Sequence, residues 1–296
     1  MTFDFETIID RRGKDAVAVE APAAQMSGGF FPETKVQEEF SIIPMWVADM
    51  NFQTAPAVAQ AIRSRADHHL YGYFLPPAQY YQSIINWQKE RNGVADLKPE
   101  HIGYENGVLG GVVSALRILC SNGDPVLVQT PAYVGFTHSL EDNGWKSVLN
   151  PLKRDAEGIW RMDYEDMERK IIENHVHAAI FCSPHNPSGR VWQAWEIEKA
   201  MEIFARHDVY VIADEIWSDL TLPGYHHIPT QSVSEDARNR TIALYSPSKA
   251  FNLAGLVGSY HIVYNSYIRD RIRREATMTH YNHMNVLSMH ALMGAY

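Results

Sequence analysis

Short apolar runs alternate with amphipathic segments along most of the chain, and this alternation restricts the fold more than any other feature. The runs at 178–182 and 209–213 are apolar or aromatic at every position, which predicts strands buried on both faces. Such strands occur in mainly parallel sheets whose faces are covered by the connecting helices. Further strands are predicted at 101–106, 126–129, 145–149, 241–245 and 256–263. We therefore predict an α/β fold with a mainly parallel sheet covered by helices.

Helical periodicity occupies the stretches between these runs. Helices are predicted at 55–66, 78–91, 112–120, 164–174 and 195–206. The first has Pro56 in its first turn, and we expect Thr54 to cap its N-terminus. Residues 1–43 contain several glycines and prolines without a long period, so we predict an extended N-terminal arm there.

Polar and aromatic residues follow four of the predicted strands at the point where each strand ends. In open parallel sheets, ligands bind outside the carboxyl ends of the strands. We therefore expect one binding site at this edge of the sheet. The segments that follow the strands are Pro131–Tyr133, Ser183–Gly189, Asp214–Trp217 and Ser246–Lys249.

Lys249 lies between hydroxyl residues just after the predicted strand 241–245. Burial disfavours the charged form of a lysine, and a neutral amine is a nucleophile that can form a Schiff base with a carbonyl cofactor. Ser246 and Ser248 could bind a phosphate group of that cofactor. The alternative is a surface loop with a solvated lysine, and the short pattern by itself does not exclude it.

A second phosphate-binding feature lies where the strand 101–106 meets the next helix, at Gly107-Val108-Leu109. A helix N-terminus presents free backbone N–H groups and the positive end of the helix dipole. Junctions of this kind are common, and most of them bind nothing.

The remaining residues at this edge suit a pyridine ring that bears an aldehyde and a phosphate. Asp214 can pair with a protonated ring nitrogen, Asn186 can donate to the phenolate oxygen, and Tyr133 can stack on the ring. Each also has a structural interpretation, as a helix cap, a turn residue and a core aromatic respectively. Their combination with Lys249 favours the cofactor site.

Several longer segments resemble the fold-type-I pyridoxal-phosphate enzymes of the class I/II aminotransferase superfamily. Within that superfamily they are similar to the cystathionine β-lyase-like C–S lyases of the MalY/PatB type. The resemblance covers nearly the whole chain and implies a fold-type-I transferase with a mainly parallel, seven-stranded sheet. The segments that carry it are Asp10–Gly13, Pro44–Phe52, Ser183–Trp192, Asp214–Ile216 and Ser246–Gly255.

The resemblance implies a role for each candidate residue toward pyridoxal 5′-phosphate. Lys249 is expected to be the catalytic Schiff-base lysine, Asp214 the partner of the pyridinium nitrogen and Asn186 the phenolate donor. Tyr133 is the expected stacking residue. Phosphate contacts are expected from Gly107, Val108, Leu109, Ser246 and Ser248.

The same resemblance implies a homodimer, because Tyr73 matches a tyrosine that such dimers lend to the cofactor of the neighbouring subunit. Trp217 stands where many aminotransferases have a tyrosine that donates to the phenolate oxygen. Its indole N–H is expected to contact the cofactor instead.

The resemblance also predicts the domain organisation. Residues 1–50 are expected to form the N-terminal arm and a small-domain segment, 51–275 the cofactor-binding large domain, and 276–296 the start of an interdomain helix. The sequence ends at Tyr296 before the C-terminal small domain of the family. We therefore expect that domain, with its carboxylate-binding arginine, to be absent.

The predicted activity is β-elimination from cystathionine or a related cysteine S-conjugate, which releases a thiol, pyruvate and ammonia. An aminotransferase is the alternative enzyme. A catalytically impaired regulatory or binding protein on the same fold is the third possibility.

Composition limits the other function classes. The 296-residue chain has a net charge of −9 and no Lys/Arg-rich tract, which argues against nucleic acid or an anionic membrane as a partner. No apolar run reaches the roughly 18 residues of a membrane span, so we expect a cytoplasmic protein with a small-molecule substrate. Cys120 and Cys182 lie in apolar runs and are expected to be buried, reduced thiols. The histidine pairs lack a recognised ligand spacing, so no metal site is predicted.

Overall fold

The computed structural model describes residues 3–23, 45–281 and 283–296. About half of the predicted N-terminal arm, together with Pro44 of the motif Pro44–Phe52, lies outside these ranges. Within the described ranges, no helix is long and apolar enough to cross a membrane.

A seven-stranded sheet forms the centre of the molecule, with the strand order β1-β9-β8-β7-β6-β2-β3. Strands β2, β3, β6, β7 and β8 run parallel to one another, whereas β9 is antiparallel to both of its neighbours. A separate two-stranded ribbon pairs β4 with β5. The predicted mainly parallel sheet is confirmed. The strands are β1 (Ile102–Glu105), β2 (Pro125–Thr130), β3 (Lys146–Pro151), β4 (Lys153–Arg154), β5 (Trp160–Arg161), β6 (Ala178–Cys182), β7 (Tyr210–Asp214), β8 (Thr241–Tyr245) and β9 (Ser259–Ile262).

Helices cover both faces of the sheet. One apolar cluster packs α4, α5 and α9 against one face, a second packs α6, α7 and α8 against the other, and a third joins α3 and α10 to strands β7 to β9. The predicted α/β architecture is therefore confirmed. The helices are α1 (Val17–Ala23), α2 (Pro56–Ala66), α3 (Ala78–Asn92), α4 (Val108–Leu119), α5 (Val134–Asp142), α6 (Tyr164–Asn174), α7 (Ala194–Arg206), α8 (Glu235–Arg240), α9 (Ser266–Thr279) and α10 (Val286–Ala295).

The predicted N-cap of α2 is wrong. Ala55 occupies the N-cap position, and no side chain caps the helix. The Thr54 hydroxyl instead donates to the backbone oxygen of Phe251 at 2.8 Å. Thr54 therefore ties the start of α2 to the segment that follows Lys249.

Helix α4 begins four residues before the predicted position, at Val108 rather than at 112. The prediction placed the start late because Gly110 and Gly111 are weak helix formers. Tertiary packing requires a small residue here, since a Cβ on Gly111 would lie 2.7 Å from a methyl carbon of Leu244. Close contact with β8 therefore outweighs the low helix propensity.

A buried polar network around Glu215 holds the segments behind the sheet edge together. The Glu215 carboxyl group is fully buried and contacts Nε2 of His227 at 2.7 Å, the backbone N–H of Thr230 at 2.8 Å and the hydroxyl of Tyr245. Burial, together with the adjacent Glu215, raises the pKa of Tyr245, so that its hydroxyl stays a neutral donor. Glu215 thus satisfies three separate buried groups.

Replacing Glu215 by alanine is expected to lower the free energy of unfolding by about 3 kcal/mol, because three buried polar groups lose their partner. Urea unfolding measures this loss, and Glu215→Gln serves as the control because it keeps one acceptor and the side-chain volume. A loss below about 1 kcal/mol in the alanine variant would contradict this account of the network.

Candidate active site

The carboxyl ends of five strands meet at one edge of the sheet. Strands β2, β6, β7 and β8 are mutually parallel, and β1 runs parallel to β8 because both pair antiparallel with β9 between them. The segments that carry Gly107, Tyr133, Asn186, Asp214 and Lys249 all begin at this edge.

Lys249 and Trp217 lie together in the centre of this edge. The Lys249 Nζ atom is 5.5 Å from the centroid of the Trp217 ring, a cation–π distance. Both side chains are half-buried. The Lys249 amine therefore lies over the Trp217 ring and remains accessible from the surface.

Asp214 ends β7 next to this pair and is 5% exposed. Its carboxyl group accepts a hydrogen bond from the backbone N–H of Ile216 at 3.1 Å. Burial raises the pKa of Asp214 to about 7, and the Ile216 hydrogen bond and the charge of Lys249 oppose that rise. A carboxyl group with this pKa is suited to a cationic partner, which would restore its charged form.

Cys182 connects the Asn186 segment to Asp214. Cys182 ends β6 and is the register partner of Asp214, and its sulfur accepts the backbone N–H of Asn186 at 3.4 Å. Asn186 itself is half-buried, so its amide is available to a ligand at the same edge. Cys182 is buried as predicted, whereas Cys120 is only partly buried.

The predicted phosphate-binding groups also lie together. Gly107 has a φ of +82° and precedes α4, and a Cβ at this position would lie 3.8 Å from Val257. The residue after Val257, Gly258, accepts the Ser246 hydroxyl at 2.8 Å. The hydroxyl oxygens of Ser246 and Ser248 are 2.6 Å apart. Gly107, at the start of α4, and the serine pair therefore both lie next to the 257–258 segment.

Tyr133 lies beside the same helix turn. A Cβ on Gly135 would lie 2.5 Å from Cε1 of Tyr133 and 2.9 Å from Cδ1 of Leu109, so both side chains meet above this glycine. Tyr133 also makes an edge contact with Phe136 at a centroid distance of 5.5 Å and remains 39% exposed. Its ring is thus supported on one side and accessible on the other.

Tyr73 does not join these residues in the same chain. Its side chain is fully exposed and lines a separate cavity of about 670 Å³ together with Tyr71, Tyr80 and Tyr104.

The sequence analysis did not predict the cavity beside Asn186 and Trp217. It measures about 470 Å³ and is also lined by His185, Arg190 and Tyr225. Burial lowers the pKa of His185 to about 4, so this ring is neutral near pH 7. The sequence did contain a signal for this cavity, because His185 and Arg190 flank Asn186 in a segment that was already expected at the site.

The donor set is chemically suited to a phosphorylated pyridine aldehyde. It combines an amine, a buried carboxyl group without a buried cationic partner among the described residues, and hydroxyl and backbone N–H donors at the same edge of the sheet. The described ranges contain no group of three or more His, Cys, Asp or Glu side chains arranged to hold a metal ion.

Comparison with known proteins agrees with this geometry. Residues 42–292 match the family model for aminotransferase class I and II. The chain is 35% identical over 254 residues to cystathionine beta-lyase PatB of Bacillus subtilis, covering 86% of this chain and 65% of that protein. It is 30% identical over 269 residues to the protein MalY of Escherichia coli, with 90% and 65% coverage. The chain therefore spans about 65% of the length of these two relatives.

A solved structure gives the same result at the level of the fold. The chain superposes on cystalysin of Treponema denticola, which contains a pyridoxal 5′-phosphate cofactor, with a TM-score of 0.91 and 30% identity. The match covers 100% of this chain and 72% of that one. The sheet described above is therefore that of a fold-type-I enzyme.

Proposed function

Because the chain belongs to the aminotransferase class I and II family, we propose that it is a pyridoxal-phosphate-dependent C–S lyase that cleaves cysteine S-conjugates. Its substrate is cystathionine or a related conjugate, and its products are a thiol, pyruvate and ammonia. Residues 51–275 form the cofactor-binding domain in this proposal. The similarity to a cystathionine beta-lyase supports the lyase over the other reactions of the family.

The position of Asp214 beside Lys249 is the observation that carries the proposal. The pKa of the buried Asp214 carboxyl group stays raised even though the charge of Lys249 lowers it. A second positive charge beside Asp214 would therefore favour its charged form. A protonated pyridine nitrogen supplies such a charge. Asp214 would hold the ring nitrogen, Lys249 the aldehyde carbon, and Ser246, Ser248 and the first turn of α4 the phosphate.

Bound pyridoxal phosphate supplies an electron-withdrawing ring that stabilises negative charge at the substrate Cα. Lys249 removes the Cα proton, and the electron pair left at Cα forms a Cα–Cβ double bond as the Cβ–S bond breaks. The sulfur leaves with the electrons of that bond and takes up a proton, and addition of water then gives pyruvate and ammonia. Asp214 would keep the ring nitrogen protonated, Asn186 and Trp217 would donate to the phenolate oxygen, and Tyr133 would pack on the ring.

A continuous assay of purified protein with pyridoxal phosphate tests this reaction. The proposal predicts thiol and pyruvate in equal amounts from cystathionine, without an added keto acid. Amine transfer that requires a keto acid and releases no pyruvate would indicate an aminotransferase. Cofactor absorbance without turnover of either kind would indicate a binding protein.

The proposed enzyme is a homodimer in which Tyr73 reaches the cofactor of the partner subunit. The side chain of Tyr73 is fully exposed and is therefore available for such a contact. Tyr71 and Leu75 are exposed in the same segment and would be covered by the partner subunit.

Mixed dimers test whether Tyr73 acts across the subunit boundary. Lys249→Ala and Tyr73→Ala homodimers are each expected to be impaired, because each has the same defect at both sites. After subunit exchange at equal amounts, half of the dimers carry one intact site, so activity should recover to about a quarter of wild type. Recovery is measured by pyruvate release. The absence of recovery in dimers shown to have exchanged would contradict the assignment of Tyr73.

A further inference from the structure

Lys249 lies within a tight turn, residues 247–253, which we call the lysine turn. Two backbone hydrogen bonds of 3.0 Å close this turn, and they run from Phe251 to Pro247 and from Leu253 to Ser248. Both bonds span Lys249 in the sequence. The position of its backbone therefore depends on what holds the lysine turn in place.

Asn252 joins the lysine turn to a residue that lies 202 positions earlier in the chain. Its side-chain oxygen accepts the backbone N–H of Met50 at 3.2 Å, and its side-chain N–H donates to the backbone oxygen of Met50 at 3.0 Å. One amide thus pairs with both polar groups of one backbone residue. Asn252 has a φ of +57°, in the left-handed region that asparagine adopts more readily than most residues.

Two further contacts hold the turn from the same side. The Thr54 hydroxyl donates to the backbone oxygen of Phe251 at 2.8 Å. Leu253 is 6% exposed and packs against Val58 of α2 in a small apolar cluster. The second half of the lysine turn is therefore fixed against the start of α2 and the residues before it, whereas the Lys249 side chain stays half-buried at the sheet edge.

The predicted phosphate contacts are held by other groups. The Ser246 hydroxyl donates to the backbone oxygen of Gly258 at 2.8 Å and accepts the backbone N–H of Ser248 at 3.2 Å. These bonds do not involve Asn252. Loss of the Asn252 side chain should therefore move the lysine more than the two serine hydroxyls.

We propose that Asn252, assisted by Thr54, is a positioning residue that holds the lysine turn against Met50 and so aligns the Lys249 amine for removal of the Cα proton. The inference rests on the proposed function, because it takes this proton transfer as the step that Lys249 performs. Proton transfer requires the donor and acceptor atoms to be within hydrogen-bond reach. A displacement of the amine by about 1 Å is enough to slow the step.

Asn252→Gly removes the side-chain amide and keeps a residue that adopts positive φ without strain. Under saturating pyridoxal phosphate, kcat for pyruvate release is expected to fall about tenfold, with KM within about threefold of the wild-type value. The Cα-deuterium isotope effect on kcat should be at least as large as in the wild type, because proton transfer is the step that slows. A lower kcat with a smaller isotope effect would place the defect in another step and overturn the inference.

Hydrogen–deuterium exchange of the cofactor-free protein measures the contact without turnover. The Met50 amide loses its acceptor in Asn252→Gly, so the peptide that contains it should exchange about tenfold faster there than in the wild type. Unchanged exchange would overturn the inference alone. Absence of the Schiff-base absorbance band in the wild type with pyridoxal phosphate would instead overturn the proposed function, and the role in proton transfer with it.

Matched variants separate positioning from a general structural effect. His175 is the C-cap residue of α6, has a φ of +54° and is exposed, so His175→Gly makes the same kind of change away from the site. It should keep the wild-type kcat and the wild-type exchange of Met50. Thr54→Val removes the hydrogen bond to Phe251 and should lower kcat about threefold, whereas Thr54→Ser keeps the hydroxyl and should restore it. Equal losses in the two Thr54 variants would contradict the part assigned to this hydroxyl.

Discussion

Replacement of Lys249 by alanine is expected to lower kcat/KM for thiol release by about 10⁴-fold, the upper range for loss of a general acid–base group. The proposed reaction uses this amine twice, to hold the cofactor and to remove the Cα proton, so no neighbouring group can replace both roles. Pyruvate formation from cystathionine under saturating cofactor measures the effect.

Two further variants show whether the loss is specific to the amine. Lys249→Arg keeps the positive charge beside Trp217 but provides no nucleophile, so it should be as impaired as the alanine variant. Lys199→Ala removes an exposed lysine on α7, whose Nζ lies 4.5 Å from the Tyr164 ring, and should retain wild-type activity. A Lys249→Ala protein with more than about a tenth of wild-type activity would contradict the role given to this residue.

Asp214→Asn is expected to lower kcat/KM by about 10³-fold and, in the cofactor-free protein, to increase stability. The activity falls because a neutral amide cannot hold the ring nitrogen in its protonated form, which weakens electron withdrawal from Cα. Pyruvate release measures the first effect, and urea unfolding without cofactor measures the second.

The stability effect has a defined pH dependence. Burial raises the pKa of Asp214 to about 7, above the value of 3.8 for an unperturbed aspartate, so the native state binds more protons than the unfolded state between these values. The free energy of unfolding therefore falls as pH rises through this range, and the loss persists above it. Asparagine has no such cost, so the variant should be more stable than the wild type at about pH 8, by at most about 4 kcal/mol. The difference should shrink toward pH 4.

Added cofactor should make the wild type more stable than Asp214→Asn at pH 8. A ligand that binds the native state adds stability that rises with the logarithm of its affinity, and asparagine at position 214 lowers that affinity. Equal stability of the two cofactor-free proteins at pH 8 would show that the buried Asp214 carboxylate does not destabilise the native state.

The sequence predicted the central strands well because their burial is complete. Helix α6 and strands β6 and β8 occur at the predicted residues, and Lys249 lies beyond the end of β8 as expected. Strand β7 is shifted by one residue, so Asp214 is its last residue rather than the first residue after it. A strand that is apolar at every position can lie only in the centre of a covered sheet, and parallel topology then brings the following loops together.

Features that depend on distant partners were not predictable. Glu105 and His261 are 156 positions apart and meet only through the register of β1 with β9. Glu215 was noted in the sequence only as the neighbour of Asp214, and its contacts with His227 and Tyr245 require the folded chain. In both cases the local pattern gave no sign that a carboxyl group would be buried and paired.

The central claim, that Lys249 holds pyridoxal phosphate at this edge of the sheet, is tested most directly by borohydride reduction of the cofactor-loaded protein followed by peptide mass mapping. The account predicts one phosphopyridoxyl group per chain, attached to Lys249. Attachment at a different lysine, or an absence of attachment in protein that remains folded, would contradict it.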